Sequence, residues 1–440
     1  MSERKRRQYV PATERATGRS QRHRPTKRRK SKRKNKLGRL IVLLVILAII
    51  VGSVYWLVST IFGSSKGGSK EATRTKGASE ISIMHTGDVL MHTYLVEGGQ
   101  DSSGNYDFSF IFNEIKDVIG KYDYAVANYE GTTISKPPYV GYPIFKTPSI
   151  IIKNLKDSGF DMLLTSNNHA LDNSLEGLEN TIKDIEEQKL DYVGTRKDKE
   201  KKNYLVKDIK GFKIGFLVYT FETEKSNGTR TINGIPITKD IEGKINSFNY
   251  NELDDFYSRV KDDMEAAKKD GAEINLVYMH WGEEYQLKEN TYQKKMAQKL
   301  ADLGADAIIG GHPHVVQPAE VLYQEKTKKP VFCLYSLGNA VSNQRIQFMG
   351  GVLGTKHTED GMFLETTIAR DNKGNAYVKS VDYIPTWVDM RTNGGSRKHV
   401  VVEAKSNSTG EPKASYDRTK ALVDSGISAY NKEIKDYIKK

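Results

Sequence analysis

Ile274-Asn275-Leu276-Val277-Tyr278-Met279-His280 and, one helix later, Ala307-Ile308-Ile309-Gly310-Gly311-His312-Pro313-His314 decide the fold of this chain. Each is a short apolar run of strand length that stops abruptly on polar residues. Between them, residues 292–303 carry helical spacing, so the segment reads as strand, crossover helix, strand. The same grammar recurs outward in both directions. Ile81-Ser82-Ile83-Met84 leads to Gly87-Asp88, Tyr124-Ala125-Val126-Ala127 leads to Asn128, and Asp161-Met162-Leu163-Leu164-Thr165 leads to Asn167. Residues 213–219 and 331–335 are further strands, while 108–119, 148–158, 175–189 and 417–440 read as helices. Residues 362–392 alternate as strands. Strands alternating with helices predict a layered α/β fold, and such sheets place their binding groups at the strand exits.

Those exits carry the chemistry. Five of the nine histidines, His92, His169, His280, His312 and His314, fall in or beside them, together with Asp88, Glu130, Asn168 and Asp172. Imidazole, carboxylate and amide oxygen converging from several loops form a donor set suited to a divalent or dinuclear metal centre. His312-Pro313-His314 after a Gly-Gly pair is the sharpest block, since two imidazoles flanking a proline are hard to explain as packing. Gly87-Asp88 alone also suits a helix cap, Glu130 an exposed turn, and Asn167-Asn168-His169 an Asn-rich turn. Glu283 and Glu284, directly after His280, can bind metal or orient a histidine.

The net charge of +13 suggests a polyanion partner until its distribution is read. Residues 1–39 hold a net +15, which leaves −2 for everything after them. Residues 40–62 then run 23 positions without a charge, the length of a helix that crosses a bilayer. By the positive-inside rule this predicts a signal anchor with a cytoplasmic basic tail and an extracytoplasmic body. Contact with anionic lipid headgroups accounts for the tail without nucleic acid. Residues 63–79 read as a flexible Gly/Ser/Lys linker. A main domain is expected over 80–392 and a C-terminal extension with a terminal helix over 393–440. The polar stretch 222–259 is either an insertion near the mouth of the site or a disordered surface loop. The single Cys333 sits in an apolar run, as a buried core thiol would.

Taken in series, Gly87-Asp88-Val89-Leu90-Met91-His92, Asn128-Tyr129-Glu130-Gly131, Ser166-Asn167-Asn168-His169-Ala170-Leu171-Asp172, His280-Trp281-Gly282-Glu283-Glu284-Tyr285, Gly311-His312-Pro313-His314 and Tyr335-Ser336-Leu337-Gly338-Asn339 resemble the poly-γ-glutamate capsule-synthesis (CapA/PgsA-type) family. That family is similar in pattern to the calcineurin-like metallophosphatases, and the resemblance covers about residues 80–390. It implies a metallophosphatase-like β-sandwich flanked by helices, membrane attachment, and two divalent ions, with Mn, Zn, Fe and Mg not distinguished. It also implies that Asp88 and His314 serve one metal, that Asn168, His280 and His312 serve the other, and that Glu130 bridges them. His169, with Asp172, would protonate a leaving group, and Asn128 and Asn339 would contact substrate. Two departures stand out: His92 lies four residues after Asp88 where the wider pattern has Asp-x-His, and the bridging acid is Glu rather than Asp.

Three functions remain open on this reading. One is assembly or export of an anionic poly-γ-glutamate-type polymer, with hydrolase-like chemistry. The second is a phosphoesterase acting on envelope phosphate esters. The third is a non-catalytic scaffold for membrane synthase partners.

Overall fold

Ile274–His280 is buried along its whole length, and its side chains alternate between two different apolar cores. Ile274, Leu276 and Tyr278 face one core, and Val277 and Met279 face another. That two-sided burial is what the uninterrupted apolar run encodes. Phe212–Phe221 and Ala307–Gly311 flank the strand in parallel, placing Thr220 and Gly311 opposite His280. The crossover helix Thr291–Leu303 starts at a capping box, in which Asn290 and Gln293 exchange side-chain to backbone bonds of 2.9 Å. It stops at Gly304, whose φ of 115° needs a residue without a β-carbon.

The computed structural model describes residues 79–439 apart from 227, 352–353 and 394. The basic tail, the apolar run 40–62 and all but the last residue of the 63–79 linker lie outside the described residues. Among the described residues no helix is long and apolar enough to cross a membrane.

Two sheets build a mixed α/β body. The first has eight strands, in the order Ser396–Glu403, Ala376–Asn393, Asp360–Arg370, Glu80–Leu90, Tyr124–Glu130, Met162–Leu164 and Asp191–Val193, with Asn339–Val341 also paired to Glu80–Leu90. The second has seven, in the order Ser247–Phe248, Phe212–Phe221, Ile274–His280, Ala307–Gly311, Pro330–Leu334 and Ala319–Tyr323, with Tyr204–Ile209 beside Phe212–Phe221. Ile83, Val126 and Leu164 of the first sheet share one core with Val218, Tyr278 and Ile309 of the second. The opposite faces are covered by helices. Ile151, Ile152 and Leu155 of helix Ile150–Asp157 pack with Ala125 and Leu163, and Val260, Met296 and Leu300 pack with Val277 and Ile308. Each such aliphatic side chain contributes about 1.5–3 kcal/mol when fully buried. Cys333 is buried in the outer core of the second sheet.

Alternation alone would turn Asp88 away from the space between the sheets, because His85 already faces it and bonds to Tyr278 of the other sheet. A one-residue register slip at Gly87 reverses the parity, so Asp88 pairs with Asn128 and turns inward. A β-carbon on Gly87 would lie 1.8 Å from the Gly338 carbonyl oxygen, which is why the bulge carries glycine.

Three stretches are built in ways the sequence left open or did not show. Residues 108–119 form only the single turns Ser109–Ile111 and Lys116–Ile119, although Phe108, Ile111, Phe112, Ile115 and Ile119 are all buried. Their apolar spacing records packing rather than a continuous helix. The stretch 222–259 is structured: Thr223–Ser226, Thr229–Ile232 and Ile235–Pro236 form a small sheet. Ile232, Ile237 and Ile241 then anchor it against Leu171, Leu178 and Ile182. The C-terminal stretch from 393 onward is built into the body, which forms one unit across the described residues. Ser396–Glu403 extends the first sheet, and helix Gly410–Ile438 sends Val423, Ile427, Tyr430 and Ile434 into the core between the sheets.

Candidate metal centre

The two sheets bring their polar strand exits together. Asp88, Asn128 and Glu130 close two strands of the first sheet, and Asn168 and His169 follow a third. His280 ends one strand of the second sheet, and His312 and His314 follow the next. His280 Nε2 lies 2.7 Å from Asn168 Oδ1 and 3.5 Å from Glu130 Oε1. His314 Nδ1 lies 3.3 Å from Asp88 Oδ2, and its Nε2 lies 4.0 Å from Glu130 Oε1. Ligand atoms of Glu130, His280 and His312 all fall within 4.8 Å of one another, and so do those of Asp88, Glu130 and His314. Glu130 belongs to both groups.

Buried polar atoms without partners test whether a cation fits. Neither carboxylate oxygen of Glu130 accepts a hydrogen bond, and Nδ1 of His312 has no partner, although both residues are buried. A buried carboxylate that no hydrogen bond satisfies is costly even beside the His280 and His314 rings, and a positive ion among these donors would offset that cost. Carboxylate, imidazole and amide oxygen together suit a borderline divalent ion. The protonation tendencies of His312 and Asp88 agree. Burial, with the positive potential of His280, His314 and His169, holds His312 well below its ordinary value, leaving a neutral ring with a lone pair to donate. Burial pushes the Asp88 carboxyl up, but its hydrogen bond to His314 and the His280 and His314 charges outweigh that and keep it ionised. His314 differs: burial works to lower it, but the nearby Glu130 and Asp88 carboxylates reverse that and raise the ring to about 9, so a metal held there would displace a proton. The residues present therefore fit a divalent metal.

His312 and His314 sit on left-handed backbone, with φ of 93° and 57°. The two rings stand 5.8 Å apart, and the backbone that carries them costs roughly 1–3 kcal/mol per residue.

His169 Nδ1 is 2.8 Å from Asp172 Oδ2, which also accepts from the Phe145 backbone N–H at 2.6 Å. With Asp172 holding the proton on Nδ1, Nε2 is the atom left for proton transfer. Phe145 stands perpendicular to the ring at 4.6 Å. Asn233, at the Asn-Gly turn of the inserted small sheet, also reaches His169 Nδ1 at 3.4 Å. Sequence reading missed Asn233, although Asn-Gly marks a turn whose tip can be placed.

Other expected site residues take different places. Asn128 and Asn339, expected at the substrate, hold candidate ligands from behind. Asn128 Nδ2 donates to Asp88 Oδ1 at 2.7 Å, while its Oδ1 accepts from Asn167 at 3.2 Å. Asn339 is fully buried with its Oδ1 3.1 Å from His314 Nδ1, so neither amide is free to meet a ligand. His92 joins neither group. Its Nδ1 accepts from the Asn343 backbone N–H at 3.3 Å, and burial, reinforced by the His314 charge, lowers the ring to about 3. Glu284 comes within 4.8 Å of His312 and His314, whereas Glu283 is exposed and lies outside all three groups.

The described residues thus define a mixed α/β protein whose buried Asp, Glu and His groups, gathered between two sheets, could hold metal ions. The chain belongs to the family described as bacterial capsule synthesis protein PGA_cap, whose family model matches residues 82–344. It is similar to capsule biosynthesis protein CapA of Bacillus anthracis, at 29% identity over 60% of this chain and 60% of that one. It is also similar to PGA biosynthesis protein CapA of Bacillus subtilis (strain 168), at 27% identity over 72% of this chain and 75% of that one. The match thus spans less than two thirds of the first relative's length. Among solved structures, the crystal structure of TT1561 of Thermus thermophilus aligns with a TM-score of 0.31 and 6% identity, over 64% of this chain and 93% of that one. That likeness is too remote to bear on fold or function.

Proposed function

We propose that this chain is a membrane-anchored capsule-synthesis protein of the cell envelope. Its extracytoplasmic body would carry a two-ion centre and assist assembly or export of a poly-γ-glutamate-type polymer. Membership of the capsule-synthesis family supports the physiological part, and the charge step between residues 1–39 and the apolar run 40–62 supports the anchor. The observation that carries the chemical part is Glu130, buried without a hydrogen-bond partner and shared by two donor groups that each draw on both sheets. Asp88 and His314 would hold one ion, Asn168, His280 and His312 the other, with Glu130 between them. Bound there, divalent ions supply an acidified water and polarisation of an ester, amide or phosphoryl oxygen.

The chain's own groups would do the rest. Asn128 fixes Asp88, Asn339 fixes His314, and Asp172 keeps the His169 proton on Nδ1 so that Nε2 can deliver one to a leaving group. This His169–Asp172 pair also favours a second reading, a phosphoesterase acting on envelope phosphate esters, which predicts metal-dependent turnover of aryl phosphates.

Complementing a deletion strain with wild type or His312→Ala, and measuring surface polymer, separates the readings. Loss of polymer with His312→Ala supports the first. Unchanged polymer in the deletion strain itself sinks the capsule role. Polymer restored in full by His312→Ala leaves only a scaffold for membrane synthase partners.

A further inference from the structure

A cavity of about 1040 Å³ opens outward from His312 and Asn168, and its wall has a consistent chemistry. One component is aromatic. The Phe221 ring sits 4.7 Å from His312, and Tyr250 lies 6.3 Å beyond it. Tyr285, 6.2 Å from His314, contributes from another loop.

The other component is acidic. Glu222, Glu224, Glu252, Glu283 and Glu284 line the cavity, against the single cation Lys225. Lys225 is already paired with Glu252 at 3.0 Å, and Glu222 with Arg230 at 3.0 Å. The Tyr285 hydroxyl accepts from Gln344 Nε2 at 3.2 Å. Glu224, Glu283 and Glu284 are exposed to the cavity with no cationic partner among the described residues.

Aromatic faces interleaved with unpaired carboxylates are the surroundings an organic ammonium selects. A hydrated metal ion has no use for the rings, and a polyanion is repelled by the acids. The inner end of the same cavity is lined by Asn168 and by His312, whose buried Nδ1 has no partner, and an anionic group there would meet bound metal. We infer that the cleft takes a zwitterionic substrate, with its anionic group at the metal centre and a protonated primary amine among Glu224, Glu283, Phe221 and Tyr250. The inference rests on the metal-centre reading above and narrows it. An anionic polymer would present only an amine-bearing end to this site, because its interior would meet the acidic wall.

Binding of 2-aminoethyl phosphate and ethyl phosphate to the full-length, detergent-solubilised, Mn-loaded chain, measured by titration calorimetry, tests this without requiring turnover. The amine-bearing probe is expected to bind about fivefold tighter or better. That ratio should fall towards one in the Glu224→Gln/Glu283→Gln variant. In the wild type it should also shrink as KCl rises from about 0.05 to about 0.5 M, a reading that serves if the variant does not fold. Equal affinity for the two probes, or a preference indifferent to both the variant and salt, overturns the inference and leaves the metal centre standing. Binding of neither probe overturns both.

Discussion

His314 Nδ1 lies 3.1 Å from Asn339 Oδ1, while Nε2 on the far side of the same ring faces Glu130 at 4.0 Å. The amide fixes which nitrogen keeps its proton and therefore which one can bind a metal. Asn339 Nδ2 is itself within 3.2 Å of His314 O, Ser342 Oγ, Gln344 Oε1 and Thr358 O. Replacing Asn339 by Asp keeps the shape but sets an acceptor against acceptors. We expect metal affinity to drop about 10–100-fold and stability by about 1–3 kcal/mol. Competitive chelator titration and denaturant unfolding measure the two effects.

Gly87→Ala is expected to cost about 3 kcal/mol or more, since the added methyl meets backbone that cannot yield cheaply. A denaturation midpoint indistinguishable from wild type would show that the bulge tolerates a side chain.

Divalent ions should stabilise the fold by mass action, by about 2.7 kcal/mol at a free concentration one hundred times the Kd. Thermal melts with and without Mn or Zn would show a shift in wild type, and none in Asp88→Asn or His312→Ala.

Asp172→Asn retains the contact to His169 but no longer enforces a proton on Nδ1. Any hydrolytic turnover should fall on the order of 10²–10⁴-fold in kcat, with KM little changed. An unaffected kcat would remove His169 as the proton donor.

Asp360 gives a pH signature away from the site. Burial raises its carboxyl to about 6 against the opposing pull of Arg418, which it binds through two 2.6 Å bonds. A carboxyl whose folded value exceeds its unfolded one contributes stability below about pH 4 and loses it as pH rises through about 6. Relative to Asp360→Asn, wild type should lose about 3 kcal/mol between pH 4 and pH 7, measurable as crossing denaturation midpoints. A pH-independent difference would count against the raised value.

The strand exits were legible because packing alone rarely ends an apolar run on His280 or on Gly311-His312, and the structure brings these residues together. Residues 108–119 show the limit: helical spacing and packing into a shared core leave the same apolar pattern when the turns are short. The inward turn of Asp88 depends on a register slip that only the pairing with Asn128 reveals. Asn128 and Asn339 show the same limit from the chemical side. An amide beside a site looks alike in sequence whether it faces a ligand or braces one, and only their buried partners separate the cases. The 222–259 stretch was too polar to declare its packing, which rests on a few scattered isoleucines.

The left-handed backbone at His312 and His314 sets folding and chemistry at odds. Glycine or asparagine would relax either position while abolishing a donor. A library sorted for heat resistance in the absence of divalent ions should therefore drift away from imidazole at these two sites, shedding the centre while the scaffold improves.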